Sequence, residues 1–161
     1  MQFEQKISPA LWFDKNAEEA VNFYMSIFQN SRINKVLRYG KAGPGPEGTI
    51  LTISFELDGE EFTAINGGPH FTFSPAISFV VRCGTQDEVD YYWEKLSLGG
   101  HQDQCGWLTD QYGVSWQIVP NVLIELLGDP DPVKSKQVME AMLQMRKIDI
   151  EQLQRASAQK I

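Results

Sequence analysis

A chain of 161 residues, 42% hydrophobic and 22% charged, has the composition of an ordinary globular protein and enough length to bury a core without disulfides or metal. Its formal net charge of -7, with Lys and Arg scattered along the chain, repels a phosphate backbone, so no nucleic-acid partner is expected. Cys83 and Cys105 form neither a disulfide framework nor a CxxC pair, no run approaches the roughly 18 apolar residues of a membrane span, and "MQFEQKISPALWF" lacks an apolar signal core; a cytoplasmic location is the expectation.

"ISPALWF" (residues 7–13) is apolar, aromatic and bounded by turn residues, which predicts a strand. In "NAEEAVNFYMSIF" the residues Ala17, Ala20, Val21, Tyr24 and Phe28 recur at helical spacing. Asn16 is placed to cap that helix, with Glu19 reaching back three residues later. "RINKVLRY" is a partly amphipathic strand, and residues 40–48, "GKAGPGPEG", are a loop. "TILTISFELDGEEFTAING" carries two β-rich runs around Asp58-Gly59, a pair suited to a type I′ hairpin.

The same order returns after Pro75. "AISFVVRC" (residues 76–83) reads as a buried strand. "TQDEVDYYWEKLS" reads as a helix with Thr85 and Glu88 as a capping box. A short strand at 100–104 precedes the strands "GWLTD" and "VSWQIVP", which are joined by Gln111-Tyr112-Gly113. The helices align as "AEEAVNFY" over "QDEVDYYW" and the hairpins as "DGEEFTA" over "YGVSWQI". The chain therefore reads as an α+β protein of two tandem βαβββ modules, about 5–68 and 76–121, with "NGGPHFTFSP" as the connector. These modules fall in a domain of residues 1–128. Residues 129–161 make a C-terminal helical extension, with Asp131-Pro132 opening one helix and a last turn or two following Asp149.

The stretches "LWFDKNAEEAVNFYMSIF", "FTAINGGPHFTFSPAISFVV", "DEVDYYWEKL" and "CGWLTDQYGVSWQIVP" resemble the PhnB-like family of the vicinal oxygen chelate superfamily, the glyoxalase and bleomycin-resistance fold. Such proteins often carry the label 3-demethylubiquinone-9 3-methyltransferase. The resemblance implies that the two modules form a curved, cup-like mixed sheet enclosing a pocket, and commonly that the protein is a homodimer. Members include isomerases, extradiol dioxygenases, epoxide-opening transferases and drug-sequestering proteins.

Active members of the superfamily place His, Glu or Gln at four matched strand positions around a divalent ion. Carried over, these positions fall at Leu11 or Trp12, Thr63 or Ala64, Ala76 or Ser78, and Gln117. Of these, Gln117 alone has a ligating side chain of that set, and His70 and His101 are too few for a His₃ centre. No metal and no cofactor are expected. What remains is a pocket for a small apolar or aromatic molecule, with Trp12, Trp107 and Trp116 as walls and Thr63, Ser78 and Gln117 as polar contacts; Phe62 and Phe79 are further wall candidates. Each of these aromatic residues also fits core packing.

His70 lies in the connector, where its turn explains it. His101, Cys105 and Asp110 have the residue types of a nucleophilic triad but not a spacing that brings them together; no catalytic residue is assigned. The methyltransferase label finds no strand, Gly-rich turn and helix in sequence, because "GKAGPGPEG" leads into a strand and its prolines remove amide donors. The alternatives to a binding protein are an enzyme, of metal-dependent lyase, isomerase or dioxygenase type or the labelled methyltransferase, and an interaction protein that uses the Met-rich helical tail.

Overall fold

The computed structural model describes residues 5–160; Met1–Glu4, the start of the segment read for a signal, and Ile161 lie outside the described residues. Two compact units emerge, Met1–Phe73 and Ser74–Ile161, and the division falls inside the predicted connector.

In the first unit β1 (Ala10–Phe13), α1 (Ala17–Ile27), β2 (Arg32–Arg38), β3 (Ile50–Leu57) and β4 (Glu60–Asn66) follow one another. They build a four-stranded sheet in the order β1-β4-β3-β2, with β1 parallel to β4 and the other pairs antiparallel. In the second unit β5 (Ser78–Cys83), α2 (Gln86–Ser97), β6 (His101–Gln102), β7 (Trp107–Thr109) and β8 (Ser115–Pro120) repeat the pattern. Their sheet runs β5-β8-β7-β6, again with the outer strand parallel to its neighbour. The identical permutation makes the duplication explicit: the fold is α+β, two tandem βαβββ modules followed by helices. Each module has its own four-stranded sheet.

Local chemistry explains most of these elements. Ala17, Ala20, Val21 and Tyr24 of the predicted α1 stripe are buried, joined by Ile27, with Leu11, Ile53, Phe55 and Ala64 of the first sheet, while Phe28 lies past the helix as its C-cap and is partly buried. Asp58 and Gly59 both take positive φ, 50° and 81°, as a type I′ turn requires. Thr85 caps α2 by accepting from the Glu88 N–H at 3.2 Å.

Four expectations need correction. The first strand begins at Ala10, not Ile7, because Pro9 already ends the ladder as an acceptor, its carbonyl receiving the Thr63 N–H at 3.0 Å. Asn16 makes no side-chain cap; the Ala17 N–H is instead taken by Asn66 Oδ1 at 2.9 Å, 49 residues away. The strand predicted at 100–104 contracts to His101–Gln102. Finally, β5 starts at Ser78 and is not a buried strand: it is an edge, and Val80 is half exposed.

After β8 come α3 (Asn121–Leu127), α4 (Pro132–Leu143) and α5 (Ile150–Ala158). Asp131 caps α4 ahead of Pro132, and Asp149 caps α5 by accepting from the Gln152 N–H. These helices are continuous with the second unit. Val119 of β8 shares a buried cluster with Leu123, Val138, Met145, Ile148 and Leu153. The Cys105 and Gly106 N–H groups donate to Met145 and Arg146 carbonyls at 2.8 and 2.7 Å. Gln86 clasps the same segment, donating to Ile148 O at 3.0 Å and accepting from the Ile150 N–H at 2.8 Å.

Candidate binding site

Residues paired across a ladder share a face of the sheet, and successive residues alternate. In the second unit Val80, Gln117 and Trp107 lie in one row, and Ser78, Ser115 and Thr109 in the next, all on the face turned away from α2. Gln117 Nε2 donates to Ser78 Oγ at 2.9 Å. The Ser115 hydroxyl on the same face is buried with no hydrogen-bond partner among the described residues. Beside this pair lies a cavity of about 580 Å³ bounded by Val80, Arg82, Gln117 and Val119 of the sheet and by Asn121, Ile124 and Glu125 of α3. That size is ordinary for a small-ligand pocket.

Thus three predicted site residues, Ser78, Trp107 and Gln117, share one face. Trp116 does not. It lies on the opposite face with Leu108 and Ile118, 3% exposed, in the layer that holds the buried Val89, Trp93 and Leu96 of α2. Its indole N–H donates to Asp110 at 2.9 Å. Alternation around Gln117 forces this placement, so Trp116 is a core residue and not a pocket wall. Trp12 and Thr63 belong to the first unit, on the face of its sheet away from α1. The Trp12 indole donates to Gly68 O at 2.9 Å and meets Phe71 edge-on, at a centroid distance of 5.0 Å.

Sequence reasoning missed Val80, Arg82, Val119 and the α3 residues. The alternation of "SFVVRC" places Val80 and Arg82 on the Ser78 face, which was a usable signal. Nothing local announces that α3 bounds the same space.

Of the supposed triad, Asp110 has a structural role in its own turn. Asp110, 2% exposed, accepts the Tyr112 N–H at 2.8 Å and the Val114 N–H at 3.0 Å along with the Trp116 indole. It organises the β7–β8 turn. Cys83 is buried, and burial, with a smaller push from Glu88, drives its thiol up to about 12. Cys105 is partly exposed. A maleimide at about pH 8 without denaturant should therefore label Cys105 and spare Cys83, and mass spectrometry of the peptides checks this.

The family model described as 3-demethylubiquinone-9 3-methyltransferase matches residues 5–119. The chain belongs to this family. It is 42% identical to a PhnB protein from Bacillus cereus that bears the same label, over 72% of this chain and 99% of that one, with a TM-score of 0.66. Two neighbours of lower identity share the fold. A protein from Pseudomonas aeruginosa is 20% identical over 73% of this chain and 98% of its own, with a TM-score of 0.62. The fosfomycin resistance protein FosX from Mesorhizobium loti is 12% identical over 80% and 100%, with a TM-score of 0.54. No curated protein matches the chain. The family match ends before α3, so the three tail helices lie beyond it.

The vicinal oxygen chelate fold implies a divalent ion, and the donors present do not fit one. The resemblance matches the ligand positions to Leu11 or Trp12, Thr63 or Ala64, Ala76 or Ser78, and Gln117. Indole and hydroxyl groups do not replace the water of a divalent ion as imidazole and carboxylate do. Ala64, the alternative to Thr63, is fully buried, and Gln117 offers a single neutral amide oxygen. Among the described residues no three His, Cys, Asp or Glu side chains gather as ligands. This family member also lacks a dinucleotide-type cradle at its Gly/Pro loop, since residues 40–48 join two antiparallel strands, β2 and β3.

Proposed function

We propose that this family member binds a small apolar or aromatic molecule against the second sheet, beside Gln117, without a divalent ion. The observation that carries this reading is the Gln117–Ser78 pair at the edge of the cavity bounded by Val80, Val119 and Ile124. Val80, Val119 and Ile124 supply its apolar surface, and Arg82, Gln117, Asn121 and Glu125 its polar groups. Trp107 extends the apolar surface along the same row.

A thermal-shift screen against phenols and quinone-like compounds tests it. A ligand at about 100 times its Kd stabilises the native state by about 2.7 kcal/mol, which raises Tm by roughly 5–10 °C for a chain of this size. Gln117→Ala should abolish the shift. An unchanged shift would remove Gln117 from the site.

A second reading follows the family label, methyl transfer to a quinone-like phenol. S-adenosylmethionine in the same screen separates the two readings: stabilisation by it, with transfer of a labelled methyl group to a phenol, would favour the enzyme.

The expected homodimer belongs here as well. It is supported by β2, an edge strand exposed along its whole length, on which Ile33, Val36 and Leu37 are 40%, 37% and 46% exposed. Light scattering at micromolar concentration should give twice the chain mass, and Leu37→Glu should halve it. A wild-type monomer would discard the assignment.

A further inference from the structure

We propose that the first module carries a second small-molecule site, beneath the loop of residues 40–48, and that it takes a small planar acid, a ring bearing one carboxylate.

The loop is where the two modules differ. Residues 39–49 join β2 to β3, while residues 103–106 suffice between β6 and β7. Its ends are tied, with the Tyr39 N–H on Thr49 O at 2.8 Å and the Gly48 N–H on Tyr39 O at 2.9 Å. Its middle lies flat on the Tyr39 ring, where a Cβ on Gly43 or Gly45 would stand 2.7 or 2.4 Å from ring carbons. Tyr39 is buried, and its hydroxyl donates to the Asn66 carbonyl. The opposite wall is equally set. Gly67 has no room for a Cβ, which would lie 2.2 Å from the Trp12 indole. His70 folds back so that its Nε2 would stand 3.6 Å from a Cβ on Gly68. Between the walls is a cavity of about 530 Å³, so the space is shaped by packing and not by a freely moving loop.

Its lining selects the ligand. Pro44 and Pro46 offer flat apolar surface suited to a ring, with the buried Tyr39 ring behind them. Asn66, at its base, is spent: its Oδ1 caps α1 at 2.9 Å and its Nδ2 donates to Ile50 O at 3.1 Å. Lys15 and His70 also line the space, and neither side chain has a hydrogen bond or ion pair among the described residues. Both are donors suited to a carboxylate. Asp14 borders the same cavity with the opposite sign, and this gives the experiment its polarity.

Calorimetric titration of the full chain with indole-3-propionate and with the neutral indole-3-propanol, at about 20 mM salt to limit screening, tests the site. The acid should bind about fivefold more tightly than the alcohol. Lys15→Gln should erase that preference, and Asp14→Asn should strengthen the acid alone. Gly45→Ala, which drives a methyl group into the Tyr39 ring, should weaken both probes while circular dichroism stays native. Absence of acid binding at millimolar concentration would overturn the proposal. So would equal affinity for the two probes, indifference to Lys15→Gln, or loss of binding in Gln117→Ala, which would move the probe to the second sheet.

Discussion

Asp110→Ala is expected to lower stability by about 3–5 kcal/mol, read as a shift of the urea midpoint at unchanged slope. The carboxylate is buried, and removing it strands two backbone N–H groups and the Trp116 indole N–H together. Each stranded buried donor costs roughly 1–3 kcal/mol, because it has given up water and gained nothing. Asp110→Asn keeps one acceptor oxygen and should fall between the variant and the native chain. Were Asp110 instead the orienting acid of a Cys105 or His101 relay, the alanine chain would keep its stability. A native midpoint in Asp110→Ala would therefore reverse the assignment of this residue to the turn.

Ile148→Ala should cost about 2–5 kcal/mol, and Ile148→Val about 0.5–1.5 kcal/mol. Ile148 is 0% exposed and sits in the cluster formed by β8 and the tail helices. Its side chain also stands against Gly106, 3.0 Å from where a Cβ would be, and its carbonyl is held by Gln86. The consequence reaches the module and not the tail alone. Trp93, Trp107 and Trp116 all lie in the second unit and none lies in the tail helices, so fluorescence of this unit should report the loss. An unmoved tryptophan transition, with the tail unfolding separately by circular dichroism, would show the helices to be an appendage.

Much of the fold was legible because its signals are local. Period-2 alternation, the helical stripe of Ala17, Ala20, Val21 and Tyr24, the Asp58-Gly59 turn and the Thr85 cap each depend on residues within a few positions of one another. The duplicated order of those signals was enough for the α+β, twin βαβββ architecture, and family membership followed from the same motifs. The residue types at the positions that the resemblance matches to metal ligands are likewise read directly from sequence, because they do not depend on packing.

The rest depended on distance. Asn16 looked like a cap, but the Ala17 N–H found Asn66 across the sheet, and no local pattern encodes a partner 49 residues away. Trp116 and Gln117 were both site candidates until the register of β8 against β5 and β7 put adjacent side chains on opposite faces. Burial of Trp116 against Asp110 was then the geometric consequence. Helix signals marked a C-terminal extension, and what it packs against lay beyond them: Val119, Cys105, Gly106 and Gln86 fasten it to the second module through contacts that exist once β8 and α2 are in place. Sequence determines what each segment prefers to become; which faces meet, and therefore which side chains are left to hold a ligand, is settled by packing between segments far apart along the chain.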